Sequence, residues 1–137
     1  MALDMTSFRH AIEQLARGLE EARAEPGREV VRDGVIQRFE YTYELSHKFL
    51  RRFLEETEPA PEQLKEMSFP ALIRLGSERG LLQNGWDVWN RYREARGTTS
   101  HTYDGAKAAE VFASVPSFLQ DARALLESIE RRLATPW

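Results

Sequence analysis

The chain of 137 residues carries a formal net charge of −3, with 42% hydrophobic residues, 30% charged residues and no cysteine. This composition suits one folded domain, excludes a disulfide framework and thiolate chemistry, and argues against a general nucleic-acid binder, which usually carries a basic excess. No apolar run approaches the ~20 residues that span a bilayer and no signal pattern opens the sequence, so we expect a cytoplasmic protein with a single domain over residues 1–137.

Helical periodicity begins near the N-terminus. The apolar residues Phe8, Ile12, Leu15 and Leu19 follow one another at offsets of four, three and four. This spacing predicts a first amphipathic helix, which should end before Pro26 and Gly27. A second helix is predicted to begin near Asp33, whose carboxylate is a suitable N-terminal cap.

The second helix is apolar on two faces. One face comprises Ile36, Phe39, Tyr43, Leu50 and Leu54, and an almost opposite face comprises Tyr41, Leu45 and Phe49. A helix of this kind packs on two sides. The second side meets either more of the chain's own core or a partner, and in a domain of this size we favour a homodimer interface.

The remaining elements also follow helical patterns. Glu58-Pro59-Ala60-Pro61 should break the chain, and a short helix should follow, with Ser68 as its cap, Pro70 in its first turn and its end near Gly80. A fourth helix runs from the tryptophans Trp86 and Trp89 to about Arg96. Asp104 can cap a last helix with a long apolar stripe, in which Pro116 predicts a kink or a short break, and the tail at about 134–137 should be flexible. No segment shows strand alternation, so the predicted fold is all-α, an antiparallel up-and-down bundle of four or five helices.

The stretch REARGTTSHTYD, residues 93–104, is the main candidate for chemistry. On a continuous helix Arg96 and His101 would lie ~140° apart and would not converge. Gly97 and the hydroxyl residues after it allow the helix to end, so that a loop could aim both side chains into one cleft. An arginine fork binds phosphate and a histidine moves protons near neutral pH, which together suffice for RNA cleavage without a metal. The alternative is an arginine that stabilises a helix C-terminus beside a surface histidine.

Further polar residues could belong to the same site. Glu40, Glu44, His47 and Arg51 follow one strip of the second helix, which is either a solvated seam of side-chain pairs or the wall of a cleft. Arg93 shares a helix face with Arg96. The strip offers too few ligands for a di-metal site, and we expect neither a metal nor a cofactor.

Arg96, His101 and Tyr103 match the R-x4-H-x-Y motif of HepT-like proteins in the HEPN superfamily. The segments VIQRFEYTYELSHKFLRRFLEE and RYREARGTTSHTYD also resemble the group known as nucleotidyltransferase substrate-binding proteins, and the resemblance extends over nearly the whole chain. It implies an all-helical homodimer that acts as a metal-independent ribonuclease toxin, encoded beside a minimal nucleotidyltransferase as antitoxin. It also implies that Arg96 and His101 of both subunits meet in a cleft at the dimer interface, and that the antitoxin silences the toxin by adding AMP to Tyr103.

The same family has a second interpretation, because its members resemble the helical substrate-binding part of kanamycin-type nucleotidyltransferases. The chain would then be a non-catalytic subunit that holds the substrate of a separate nucleotidyltransferase. A third hypothesis is a helical interaction module in which the motif arises by chance. Pro116 and His47 depart from the family pattern. We expect RNA as the substrate and no DNA or membrane partner.

Overall fold

The computed structural model describes residues 3–134, whose regular structure is entirely helical. The helices are α1 (Thr6–Ala24), α2 (Glu29–Thr57), α3 (Pro61–Lys65), α4 (Phe69–Glu78), α5 (Trp86–Gly97) and α6 (Gly105–Ala134), with a 3-10 turn at Thr99–His101. The all-α prediction is confirmed, and the short α3 is an element that the sequence analysis missed. Within the described residues, no helix combines the length and apolar character needed to cross a membrane.

Helix α2 is central, because it contacts each of the other five helices. Its main apolar face meets α6, where the rings of Phe39 and Phe118 pack edge to face with centroids 5.0 Å apart. On the second face, Phe49 is 2% exposed and stacks on Phe8 of α1. Tyr41 is the large hydrophobic residue of this face that stays exposed. Because α1 covers Phe49, this face is largely the chain's own core and does not itself argue for a dimer.

Several of the predicted helix ends are confirmed. Helix α1 ends at Ala24, the hydroxyl of Ser68 accepts a hydrogen bond from the Ala71 amide, and Asp104 accepts from the first amides of α6 at 3.0 and 3.3 Å. Gly80 has a φ of 73° directly after the C-cap of α4. This conformation is one that glycine adopts without strain, which explains why α4 stops there.

One predicted helix boundary is wrong, and the break allowed for at Pro116 is absent. Helix α2 begins at Glu29, about one turn before Asp33, because the Asp33 carboxylate binds the Arg32 guanidinium at 3.1 Å instead of capping the helix. Helix α6 shows no break at Pro116. Proline removes one backbone donor, but Val115 and Phe118 on either side are fully buried, and this packing holds the helix together. Of the tail predicted at 134–137, Ala134 is the last residue of α6 and the rest lies outside the described residues.

Candidate functional site

The residues of the motif lie where α5 gives way to α6. Arg96 is in the last turn of α5, and His101 and Tyr103 lie on the tight turn that follows, called here the motif turn (residues 97–103). The turn forms because hydroxyl side chains satisfy the carbonyl groups that α5 leaves open at its C-terminus. Thr98 donates to the Ala95 carbonyl at 2.9 Å, and Thr99 donates to the Arg96 carbonyl at 2.9 Å. The 3-10 turn that follows contacts both α2 and α6. The run of small hydroxyl residues therefore ends α5 and turns the chain between Arg96 and His101.

Arg96 points toward α2. Its Nη2 lies 2.5 Å from Glu44 Oε1, and its Nη1 lies 3.5 Å from Glu40 Oε2. The hydrogen bond to Glu44 is the main reason why the pKa of Arg96 is raised, with both glutamate charges adding to it. The Nε atom of Arg96 is buried and has no hydrogen-bond partner among the described residues. The guanidinium is thus held at its tips by carboxylates and retains one unused donor.

Glu40 joins α2 to the motif turn. Its Oε2 atom accepts a hydrogen bond from the hydroxyl of Thr99 and also faces Arg96. Thr99 is 9% exposed and lies between the two candidate catalytic residues in the chain. One carboxylate therefore fixes both the arginine and the turn that carries His101. The sequence analysis placed Glu40 on a possible cleft wall but missed Thr99, because nothing distinguished it from the hydroxyl residues on either side.

His101 and Tyr103 are neighbours on the outer side of the turn. The Tyr103 hydroxyl lies 3.4 Å from His101 Nδ1, and the two rings pack edge to face with centroids 5.9 Å apart. Tyr103 is 84% exposed, so its hydroxyl is open to another molecule. The contact at Nδ1 leaves Nε2 as the ring nitrogen available to a substrate. No hydrogen bond joins Arg96 to His101 within the described chain, and a substrate would have to bridge them.

The C-terminal residues of the α2 strip, His47 and Arg51, contact other parts of the chain and not the residues of the motif. Arg51 donates to the carbonyl of Leu64 and, at 2.8 Å, to that of Met67, so it ties α2 to the segment between α3 and α4. His47 packs on Phe69 with centroids 4.1 Å apart, and its Nε2 lies 3.2 Å from Arg51 Nη2. Burial, and then the charge of Arg51, lower the pKa of His47. A neutral ring that accepts from a guanidinium is consistent with this shift.

Arg93 also points elsewhere, since its guanidinium lies 5.9 Å from the centroid of the Trp86 ring. Of the five predicted cleft-lining residues, Glu40 and Glu44 therefore contact Arg96, whereas His47, Arg51 and Arg93 make other contacts. Tyr43 of α2 lies near Arg93 and Arg96 of α5. Burial raises its pKa to about 12, and the charges of Arg93 and Arg96 oppose that rise.

A buried polar network links α5 and the segment before it to α6. The Tyr92 hydroxyl bonds to Asp121 of α6 and lies 2.6 Å from the Ser117 hydroxyl, and Asn84 donates to Asp121 at 2.8 Å. Burial, followed by the bond to Asp121, raises the pKa of Tyr92. This network was not predicted from the sequence. Its signal was an acidic residue inside the apolar stripe of α6, a position where a charge persists only with partners.

Two cavities are lined by residues of α2, and the smaller one also reaches the motif turn. The small cavity, of about 240 Å³, is bounded by Ile36, Glu40, Thr99 and Thr102, among others. The large cavity, of about 570 Å³, lies where the turn between α1 and α2 faces α6. No group of three or more histidine, cysteine, aspartate or glutamate side chains within residues 3–134 is arranged to hold a metal ion.

Comparison with known proteins places this architecture among close relatives. A family model described as nucleotidyltransferase substrate binding protein like matches residues 3–131. The probable ribonuclease HepT of Haemophilus influenzae is 36% identical over 99 residues, which cover 72% of this chain and 67% of that protein.

Two solved structures share the fold. A Haemophilus influenzae structure, described as revealing the fold of a substrate binding domain of a nucleotidyltransferase, superposes with a TM-score of 0.86 and 28% identity, over 93% of this chain and 99% of the other. A crystal structure of a Thermus thermophilus protein gives a TM-score of 0.65 and 34% identity, over 91% of this chain and 99% of the other. The similarity thus extends over nearly the whole helical domain.

Proposed function

This chain belongs to the HepT-like family of nucleotidyltransferase substrate-binding proteins, and from that membership we propose that it is a metal-independent endoribonuclease with Arg96 and His101 as its catalytic residues. The observation that carries the proposal is the motif turn, which presents a half-buried histidine and an arginine fork at one helix junction. The relative that is 36% identical carries the name of a probable ribonuclease, which supports the same reaction.

The chemistry needs only these side chains and the RNA itself. His101 takes the proton of a ribose 2′-hydroxyl, and the 2′-oxygen attacks the adjacent phosphorus. The bond from phosphorus to the 5′-oxygen breaks, and that oxygen leaves with a proton returned by the protonated histidine. The products are a 2′,3′-cyclic phosphate and a 5′-hydroxyl. Arg96 stabilises the negative charge that develops on the phosphorane-like transition state.

The glutamates around Arg96 determine how phosphate could enter. Glu44 and Glu40 offset the charge of Arg96 in the free chain, so the arginine alone does not make a positive patch. Glu44, whose side chain is 59% exposed, is the easier partner to displace. We propose that an RNA phosphate replaces Glu44 on Nη2 while Glu40 continues to hold the motif turn. In a homodimer, as the family implies, a second Arg96 and His101 would face the same phosphate.

Tyr103 is the proposed site of silencing by a cognate minimal nucleotidyltransferase. Its exposed hydroxyl would attack the α-phosphorus of a nucleoside triphosphate, losing its proton to a base and releasing pyrophosphate. The added AMP would place a bulky anion beside His101, because the two side chains are in contact. It would exclude RNA by size and by charge. The pair of proteins would then form a toxin–antitoxin system.

A second function is favoured by a specific observation, namely the description of the matching family and of the Haemophilus influenzae structure as substrate-binding proteins of nucleotidyltransferases. On this alternative, the chain holds a substrate for a separate nucleotidyltransferase and does no chemistry. Both functions predict a nucleotidyltransferase as the partner. They differ in whether RNA is cut.

The deciding experiment uses purified chain, free of any partner, with labelled tRNA and mixed cellular RNA in excess EDTA. Its variants are His101→Ala and the control His10→Ala, which changes an exposed histidine of α1. We expect cleavage by the wild type and by the control but not by His101→Ala. If no protein cleaves and intact mass shows an unmodified chain, the ribonuclease proposal is wrong and the substrate-binding function remains.

A further inference from the structure

The large cavity has an apolar floor and a charged rim. Its volume of about 570 Å³ falls within the range of sites that hold small organic molecules. The floor is formed mainly by Ala22 of α1 and by Ala109, Phe112 and Ala113 of α6. Phe112 is only partly buried, and both alanines of α6 that line the floor are exposed. The small side chains of α6 thus leave a depression beside an accessible aromatic ring.

The rim combines three arginines with two glutamates, in a chain that is acidic overall. Arg28 pairs with Glu25 at 2.7 Å, and Arg32 binds Asp33 at 3.1 Å. Arg23 is exposed and makes no hydrogen bond or ion pair within the described part of the chain. An unpaired guanidinium therefore stands at the edge of an apolar floor, an arrangement that matches a ligand with a flat apolar part and an anionic part.

The large cavity and the small cavity beside the motif turn follow one another along α2. Arg32, Ile36 and Glu40 follow one another at intervals of four residues, so they lie on the same side of α2. Ile36 and Glu40 bound the small cavity, which also reaches Thr99 of the motif turn, while Arg32 lines the large one. On α6, Ala109 lies roughly 6 Å along the axis from the start of the helix. A chain that leaves the motif turn along α2 would therefore reach the large cavity.

We propose that the large cavity is a subsite for one nucleotide of the RNA that flanks the cleaved phosphate. The base would pack on Phe112 and the neighbouring alanines, and Arg23 and Arg32 would bind its phosphate. Single-stranded RNA is commonly held by aromatic side chains and arginines in this way. This subsite rests on the proposed ribonuclease function and extends it, because it places RNA contacts well outside the motif.

The test measures binding separately from cleavage. A fluorescein-labelled oligonucleotide with 2′-O-methyl groups at every position cannot be cut, and fluorescence anisotropy gives its affinity for the full chain. Ala113→Trp would fill the depression, and its control Gln120→Trp adds the same ring at an exposed position two turns further along the same face of α6. Arg23→Gln removes the unpaired cation, and its control Arg17→Gln removes an exposed arginine elsewhere on α1.

We expect Ala113→Trp to weaken binding about tenfold, as loss of one stacked base does. Arg23→Gln should reduce the slope of log affinity against log salt by about 0.7, the value for one phosphate of a single strand. Both controls should bind as the wild type does. Arg23→Gln changes an exposed side chain, so it tests the proposal even if Ala113→Trp does not fold.

Two results would overturn the subsite. One is RNA binding by Arg23→Gln, and by Ala113→Trp where that variant folds, that equals binding by the controls; a wild type that does not bind RNA counts as the same result. The other is a change of sedimentation in Ala113→Trp with unchanged affinity for RNA, which would make the cavity an interface between copies of the chain. Cleavage of unmodified RNA is measured in parallel. Differences in binding without any cleavage would refute the ribonuclease function but leave the large cavity as an RNA-binding site.

Discussion

One prediction concerns Glu40, which we expect to position the motif turn without taking part in the cleavage reaction itself. Substitution by alanine removes the acceptor of the Thr99 hydroxyl and one of the two carboxylates near Arg96. A hydrogen bond to a charged group contributes ~1.5–3 kcal/mol, and an exposed ion pair contributes at most ~1 kcal/mol. The Glu40 side chain is 39% exposed, so water replaces part of the lost interaction. We therefore expect Glu40→Ala to lower the free energy of unfolding by about 2 kcal/mol and the melting temperature by roughly 6–10 °C.

The effect on cleavage should exceed the effect on folding. At 25 °C the variant remains folded, but the turn that carries His101 has lost its anchor on α2. A displacement of ~1 Å in a reacting group can cost ~100-fold in rate. We expect kcat for RNA to fall by ~10- to 100-fold, with little change in KM. Glu13→Ala is the control, because it changes an exposed glutamate on α1 and should leave both properties unchanged.

A double-mutant cycle with Thr99→Val decides whether the two residues act together. If the carboxylate and the hydroxyl stabilise the turn through their mutual bond, the double variant loses less than the sum of the single losses. Urea unfolding should give a coupling energy of about 1 kcal/mol, whereas independent sites add within ~0.5 kcal/mol. Additive losses, or a Glu40→Ala variant with wild-type cleavage, would refute the reasoning.

Three further predictions follow from single side chains. Glu44→Gln should lower KM for RNA several-fold, because the neutral amide competes less strongly than the carboxylate with an incoming phosphate for the Arg96 guanidinium. Unchanged steady-state kinetics would contradict this. The pKa of His47 lies below its ordinary 6.5 because of burial first and a nearby guanidinium second, so protonation favours the unfolded state and stability falls as pH drops through 6.5. Urea unfolding at pH 7.5 and 5.5 should show a smaller loss in His47→Gln than in the wild type, while His10→Gln should behave as the wild type does. Gly80→Ala, at a φ of 73°, should lower the free energy of unfolding by about 1 kcal/mol. Gly34→Ala within α2 should raise it by a similar amount. Melting temperatures of both variants equal to that of the wild type would refute these two expectations.

The helices were predictable because their signals are local. Apolar spacing identified α1, α2 and α6, and the caps at Ser68 and Asp104 were read directly from residue type. The start of α2 was misplaced because Asp33 can either cap a helix or bind Arg32, and only the folded chain decides between them. Pro116 was predicted to cause a kink or a short break, and α6 continues through it without a break. Burial of its neighbours, which is a tertiary property, outweighs the lost hydrogen bond.

The residues of the candidate site could be predicted from the sequence, but the contacts between them could not. The spacing of Arg96, His101 and Tyr103 indicated a motif, yet sequence could not say that Glu40 and Glu44 would both meet Arg96. These contacts join residues 52 and 56 positions apart, and they depend on how α5 packs against α2. His47 and Arg51 lie on the same strip of α2 as the glutamates but serve the segment between α3 and α4. Residues that share a face of α2 therefore do not all belong to the candidate site.

The placement of the site on α5 makes variants of the motif informative about chemistry. Trp89 and Tyr92 are almost fully buried in the core, and the bonds of Tyr92 to Asp121 and Ser117 pin α5 to α6. Arg96 lies one turn beyond Tyr92, and Tyr103 lies outside the helix and is 84% exposed. The residues that hold α5 in place are thus distinct from those that would meet RNA or accept AMP. A substitution at His101 or Tyr103 should leave α5 in place, so a loss of activity there would report on the reaction and not on the fold.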